Sequence, residues 1–297
     1  MGTLPFDWAR YDFMNNAFLA VLFFAPLLAL IGTVVVSQKM AFFSDVLGHS
    51  ALAGIGLGVV MGAPNPIWAM LVFMVILAVS IGFFREATKA SIDTVLGVFF
   101  GVVVALGVVI LSRGGGFAKY TIYLIGDILT VTPLQIRLLA VIFVAVLIYW
   151  LLASNSLFLI SVNPVLAHSR RVPVWLVQTS FAILLAVVVA LSIQLIGILM
   201  INSLLILPAA AARNLARNVR AYTFWALGIS LASGIGGLIV SFYGGTAAGA
   251  TIVLFAAVFY GLSLMIYLWK NRRRQAVRRA PHPCSCQQAR ENSGSDL

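Results

Sequence analysis

Charged residues are scarce in this chain. Only 9% of its 297 residues are Asp, Glu, Lys or Arg, against about 25% in soluble domains, whose water-facing surface must be polar. Hydrophobic residues make up 62%, and the mean hydropathy is +1.07. This composition excludes a soluble globular domain, a disordered chain and a fibrous repeat. It predicts a chain whose main solvent is lipid.

Cysteine is nearly absent. Cys284 and Cys286 lie one residue apart near the C-terminus and cannot staple a fold, which excludes a disulfide scaffold. With His282 they place three soft metal ligands within five residues. A structural zinc site takes four ligands, so a complete site here requires another chain. The alternative is an unstructured basic tail with incidental cysteines.

Acidic residues are few as well. The chain has 8 Asp and Glu against 19 Lys and Arg, a net charge of +11. Seven of the basic residues lie from Lys270 onward, and most others fall in short gaps between apolar runs. This distribution is typical of cytoplasmic segments beside membrane spans. It favours an anionic lipid surface or an acidic protein as the partner, and no nucleic acid is expected.

Long uncharged runs predict the membrane spans, because an apolar helix of about 20 residues crosses a bilayer core. Single spans are predicted at residues 17–36, 41–61, 66–84, 94–112 and 134–153, and two spans each in 172–212 and 221–269. The fold class is therefore an all-α polytopic membrane bundle of nine spans, or eight if one segment is re-entrant. The domain division is an outer flank at 1–14, a transmembrane domain at 15–269 and a basic, disordered cytoplasmic tail at 270–297.

Basic residues predict the orientation. The tail, the pair Arg170 and Arg171, and the loop from Arg213 to Arg220 are placed in the cytoplasm by the positive-inside rule. Counting back along the spans places the N-terminus outside. Arg113 and Lys119 then fall outside and are the one violation of the rule.

An acid and a histidine lie within the second predicted span. Asp45 and His49 are four residues apart and therefore share one face of a helix. A carboxylate and an imidazole suit borderline divalent ions such as Zn²⁺ or Mn²⁺. An ion pair that orients helices and a proton relay remain open as alternatives.

Three further acids lie near apolar segments. Asp93 opens the fourth span, where a first-turn acid favoured by the helix dipole and a role in a transport path are both open. Asp127 precedes the fifth span, either at the cap of a short outer helix or at an acidic vestibule. Glu86 lies between Arg85 and Lys89 and is expected to be solvated.

Catalytic motifs are not found. The glycines at 114–116 precede Lys119 without the spacing of a phosphate-binding loop. The sequence therefore predicts that the chain does not itself hydrolyse ATP and is not an enzyme.

Several motifs occur together in a characteristic order: FSDVLGHSA at 43–51, IDTVLG at 92–97, GDILTVTP at 126–133 and GILMINSLLILPAAAAR at 197–213. In this order they resemble the membrane permease subunits of ATP-binding-cassette importers for zinc, manganese and iron(II). The resemblance covers roughly residues 15–268 and implies a fold related to the vitamin and siderophore importers.

The resemblance also implies function and partners. It implies a transport subunit that moves a divalent transition metal ion, Zn²⁺ or Mn²⁺ with iron(II) as a further candidate, across the inner membrane as its substrate and with no permanently bound cofactor. Its partners are a cytoplasmic ATPase, an extracytoplasmic metal-binding protein and a second permease copy, with a homodimer expected. It strengthens the interpretation of Asp45 and His49 as transient metal ligands in the translocation path, with Asp93 as a possible third.

One segment departs from the family pattern. The loop that docks on the ATPase usually reads Pro-Glu-Leu-Ala with a glycine a few residues later; here Val165 takes the Glu position and Arg171 the Gly position. Docking is still expected through five residues: Asn163, Pro164, Val165, Leu166 and Ala167. The departure from the family pattern puts in doubt which ATPase the chain binds.

Two other function classes remain open at this stage. One is an ion- or proton-coupled secondary transporter that uses Asp45, His49 and Asp93 as a relay. The other is a membrane scaffold that transports nothing.

Overall fold

The computed structural model describes residues 11–88, 91–113 and 128–279. The described residues form helices and contain no strand. The helices are α1 (Asp12–Ser37), α2 (Ala41–Val60), α3 (Pro66–Thr88), α4 (Ile92–Arg113), α5 (Pro133–Val162), α6 (Pro164–Ser169), α7 (Val174–Leu215), α8 (Val219–Gly244) and α9 (Ala248–Arg279). A 3-10 turn at Ile128–Thr130 precedes α5.

Nine segments of the described chain are long and apolar enough to span a membrane, which confirms the predicted all-α membrane bundle. Two of them, Val174–Ile193 and Leu195–Leu215, are the halves of α7, here called α7a and α7b. Both ends of α7 lie at the same end of the bundle. Trp175, near the start of α7, lines a cavity with Met40 in the link between α1 and α2. Arg213, near the end of α7, donates to the carbonyl of Val36 in the last turn of α1. The chain therefore crosses and returns within α7, as the 172–212 run predicted.

The first helix forms the centre of the bundle. The apolar window of α1 is 72% buried, against 11% for α5 and 17% for α9. Helix α1 packs on α5, α7 and α8. Lipid cannot drive apolar helices together, so a buried central helix must be held by close packing and buried hydrogen bonds. One such bond joins the Ser230 hydroxyl to the Ala25 carbonyl.

Glycines let some helices approach closely. A Cβ on Gly54 would lie 2.7 Å from the Met70 Cα, and one on Gly58 would lie 2.8 Å from the Ala69 Cβ, so this pair of small residues four apart lets α2 pack closely against α3. A Cβ on Gly97 or on Gly101 would meet nothing within 4 Å among the described residues. That pair therefore does not bring two of the described helices together.

The basic segments gather at one end of the bundle. Gln38 donates to the Leu157 carbonyl, and Arg213 to that of Val36, which places the ends of α1, α5 and α7b side by side. At the opposite end the ring of Tyr11 lies 5.9 Å from that of Phe242. These loops therefore lie at alternating ends of the bundle, as the predicted topology requires.

The last helix is longer than its predicted span. Helix α9 ends at Arg279, ten residues beyond position 269, so residues 270–279 of the predicted tail are helical. Arginine is a good helix former, and the run of basic residues continues the helix beyond the apolar segment. The segment with His282, Cys284 and Cys286 lies outside the described residues.

Candidate translocation site

The site is built on the first half of α2. Asp45 and His49 lie one turn apart in this helix and both are half-buried. Gly48 lies between them, and a Cβ there would be 2.9 Å from the Ile198 Cγ2. The absence of a side chain at Gly48 therefore lets α7b pack directly beside the Asp45–His49 pair.

An asparagine on α7b completes this contact. The side-chain amide of Asn202 donates a hydrogen bond to Asp45 Oδ1. The other polar atom of the same amide, Asn202 Oδ1, is buried and has no hydrogen-bond partner in the described part of the chain. A buried acceptor without a partner costs free energy, so such an atom calls for a functional or structural explanation.

A break in α7 positions Asn202. Gly197 has φ 76° and ψ 165°, a conformation open to essentially no residue but glycine, and it interrupts the helical geometry near the start of α7b. Asn202 lies five residues beyond the break. Non-helical backbone at membrane depth is tolerated only inside protein or beside a cavity. The break therefore adds non-helical backbone, with its polar N–H and C=O groups, to the region where α7b faces Asp45.

An aromatic residue of α4 borders the histidine. The Phe100 ring lies 5.3 Å from the His49 ring in an edge-to-face arrangement and 5.4 Å from the Phe42 ring. Edge-to-face contact restrains the orientation of the imidazole. The Asp45–His49 pair is thus enclosed by α7b on one side and by α4 on another.

Asp93 lies apart from this pair. It is exposed in the first turn of α4, where Ser91 accepts from the Thr94 amide and caps the helix. Phe100 follows seven residues later, about 10 Å along the axis at a rise of about 1.5 Å per residue. The described residues contain no group of three His, Cys, Asp or Glu side chains able to hold a metal ion. Asp93 therefore does not join Asp45 and His49 in one coordination shell in this conformation.

The remaining acids lie elsewhere. Glu86 is exposed in the last turn of α3 and, with Arg85, lines a cavity of about 170 Å³ at the basic end of the bundle. Asp127 lies outside the described residues.

The predicted docking segment is a short helix. Asn163 Oδ1 accepts from the amides of Val165 and Leu166, at 2.9 and 3.3 Å, and Pro164 occupies the first turn, where its missing N–H costs nothing. Val165 is 72% and Leu166 52% exposed, whereas Ala167 is fully buried. The segment is thus anchored by Ala167 and presents two apolar side chains outward at the basic end of the bundle.

Arg171 ends this segment in an unusual conformation. Its φ of 56° lies in the left-handed region that favours glycine, and its amide donates to the His168 carbonyl. This is the position at which the family pattern carries glycine. The backbone turn is retained although the glycine is not.

Known proteins share both the sequence and the fold of this chain. The model of the ABC 3 transport family matches residues 10–267. The high-affinity zinc uptake system membrane protein ZnuB of Haemophilus influenzae is 35% identical over 86% of this chain and 97% of its own length. The manganese transport system membrane protein MntC of Halalkalibacterium halodurans is 28% identical over 90% of this chain and 94% of its own.

A solved structure supports the same fold. PsaBC from Streptococcus pneumoniae, in complex with Fab, superposes with a TM-score of 0.74 over 86% of this chain and 92% of that chain, at 24% identity. Since the family match spans most of the sequence, the predicted resemblance to the permeases of metal-ion importers is confirmed, and the chain belongs to the ABC 3 transport family.

Proposed function

We propose that this permease carries zinc or manganese ions into the cell along a path between α2 and α7b. The observation that carries the proposal is the half-buried pair Asp45 and His49, beside which Asn202 Oδ1 is buried without a partner in the part of the chain that the structure describes. An intramembrane acid and histidine are costly and usually face a pathway. The names of the relatives, which include zinc and manganese transport proteins, support the same class of substrate.

The donor set suits a transient site. A carboxylate oxygen, an imidazole nitrogen and an amide oxygen together can coordinate borderline divalent ions, including Zn²⁺ and Mn²⁺. Asp45, His49 and Asn202 supply too few protein ligands for a closed structural zinc site, which takes four. A transport path requires this shortfall, because an ion that is held too tightly does not leave. Asp93 belongs to the proposal as a later ligand on the same path, nearer the cytoplasmic end of α4.

The proposal assigns the energy source to separate chains. ATP is hydrolysed by a cytoplasmic ATPase that docks on α6 through Val165 and Leu166. An extracytoplasmic metal-binding protein delivers the ion, and a second copy of the permease forms a homodimer with the first. No permanently bound cofactor is required. Membership of a transport family favours this account over a secondary transporter or a scaffold.

The orientation follows from the charge distribution. We place the protein in the inner membrane with its N-terminus outside and the basic end of the bundle, including the C-terminus, in the cytoplasm. Labelling of sealed cells from outside should modify Thr246→Cys and spare Asn218→Cys, which lie at exposed positions on opposite ends of α8. The reverse pattern would overturn this orientation.

Reconstitution tests the function. The permease and its ATPase are placed in proteoliposomes, the metal-binding protein is added outside, and radioactive zinc and manganese are supplied separately. ATP-dependent accumulation of either ion is expected, with the second ion competing. Accumulation driven by a proton gradient without the ATPase would support the secondary transporter instead.

A further inference from the structure

A second polar cavity lies at the basic end of the bundle, away from the translocation site. It measures about 180 Å³ and lies between the end of α7b, the link to α8 and the end of the α9 span. The residues that line it are Asn214, Leu215, Ala216, Arg217, Tyr267, Lys270 and Asn271. None of them is acidic, so the cavity is electropositive.

The cations of this cavity have no partner within the described chain. Neither Arg217 nor Lys270 forms an ion pair with a described carboxylate, and both are exposed. The frame around them is fixed, since the Asn214 side chain donates to the Ser263 hydroxyl at 3.1 Å and ties α7b to α9. Two free cations on a fixed frame form a site for an anion.

The cavity lies at the level of the lipid headgroups. The apolar span of α9 ends at Arg272, and its last turns project from the bundle: Met265 is 69%, Tyr267 47% and Trp269 60% exposed. Tyrosine and tryptophan at the end of a span mark the membrane–water boundary. A lipid whose acyl chains lie along α9 would therefore bring its phosphate to Lys270.

The position of the cavity separates it from the docking helix. A neighbouring cavity of about 450 Å³ shares Arg217 and Ala216 but is also lined by Ser161 and Val162 of α5. Helix α6 follows α5 directly, so the ATPase docks on that side. The smaller cavity is lined by no residue of α5 and instead by Tyr267, Lys270 and Asn271 of α9.

We propose that Arg217 and Lys270, in the cavity between α7b and α9, bind the phosphate of an anionic phospholipid from the cytoplasmic leaflet. Basic pockets between helices on the cytoplasmic side are suited to such headgroups. The assignment of the leaflet rests on the orientation given under Proposed function; the binding of the phosphate does not. The bound lipid would pin the end of α9 to α7b.

Native mass spectrometry of the purified full-length permease tests the proposal, with cardiolipin or phosphatidylglycerol added to the delipidated protein. Arg217→Gln with Lys270→Gln should weaken cardiolipin binding roughly thirtyfold, since each cation near the surface contributes about fivefold. Asn271→Asp, which adds a carboxylate to the cavity, should weaken it as well. Arg220→Gln, an exposed cation outside both cavities, is the matched control and should bind as the wild type does.

Three outcomes would overturn the proposal. Equal loss of cardiolipin in the control would mean unspecific attraction to basic charge. Full displacement of lipid by millimolar inorganic phosphate would mean a site for a free anion. Unchanged lipid binding combined with loss of ATPase copurification in the double variant would assign the cavity to an acidic segment of the ATPase.

Discussion

The side-chain amide of Asn202 in α7b donates to Asp45 Oδ1 in α2, across 157 positions of sequence. This bond leaves Asn202 Oδ1 buried beside the same carboxylate, with no hydrogen-bond partner among the described residues. One amide therefore both orients the acid and offers an additional oxygen next to it. The account of metal transport depends on this arrangement.

Replacement of Asn202 tests the amide directly. Asn202→Ala removes the donor to Asp45 and the buried acceptor, so zinc or manganese uptake should fall strongly, while stability should fall by no more than about 1–3 kcal/mol. Uptake is measured in proteoliposomes and stability by thermal unfolding in detergent. Ser230→Ala, which removes the buried bond to Ala25, is the control and should lower stability without abolishing uptake. Normal uptake by Asn202→Ala would remove the asparagine from the path.

The break at Gly197 leads to a second prediction. Alanine at φ 76° and ψ 165° is strained by about 1–3 kcal/mol, so Gly197→Ala should straighten or shift the junction and move Asn202 away from Asp45. Uptake should fall, and so should the unfolding temperature. Gly228→Ala in α8, where a Cβ meets nothing within 4 Å, should leave uptake unchanged and, because alanine is the better helix former, should not lower the unfolding temperature. Equal behaviour of the two variants would show that the break has no role.

Asn202 and Gly197 also show which parts of the site the sequence does not predict. Uncharged runs and the i, i+4 spacing of Asp45 and His49 are local signals, and they predicted the spans and the candidate pair. The partner of Asp45 depends on tertiary packing, which local pattern does not encode. Asn202 is an amide within a 41-residue uncharged run, and this was the one signal that could have identified it. It lies inside the motif at 197–213, which by itself indicates only the family resemblance.

The helix break was harder to predict. The 172–212 run predicted two crossings, but no polar turn marks where the chain returns. Glycine is common in apolar helices, so Gly197 alone did not identify the position. The separation of Asp93 from Asp45 and His49 could not be predicted from the sequence either. It depends on the register of α4 against α2, which is set by contacts such as that of His49 with Phe100.

The docking helix provides a third prediction. Leu166→Asp places a charge on the outward apolar face of α6 and should abolish copurification of the ATPase, while the permease still inserts. Arg220→Asp, at an exposed position outside α6 at the basic end of the bundle, is the parallel variant and should keep the ATPase bound. Loss of the ATPase with Arg220→Asp alone would move docking to the link between α7 and α8.

The left-handed arginine provides a fourth prediction. Glycine adopts a φ of 56° without the steric cost paid by Arg171, so Arg171→Gly should stabilise the protein by about 1 kcal/mol. Arg170→Gly is the matched control: its φ is −88°, so glycine there only adds conformational freedom to the unfolded chain and should destabilise slightly. Thermal unfolding of both variants checks the sign. A lower unfolding temperature for Arg171→Gly would mean that the arginine side chain stabilises the loop.

The central claim is that Asp45 and His49 bind the transported ion. Asp45→Asn and His49→Ala should each reduce ATP-dependent uptake of radioactive zinc or manganese in proteoliposomes to the level of vesicles without ATPase, while the ATPase still copurifies. Glu86→Gln, an exposed acid at the end of α3, is the matched control and should transport normally. Uptake by His49→Ala at the wild-type rate would contradict the account and leave the pair a role in orienting helices.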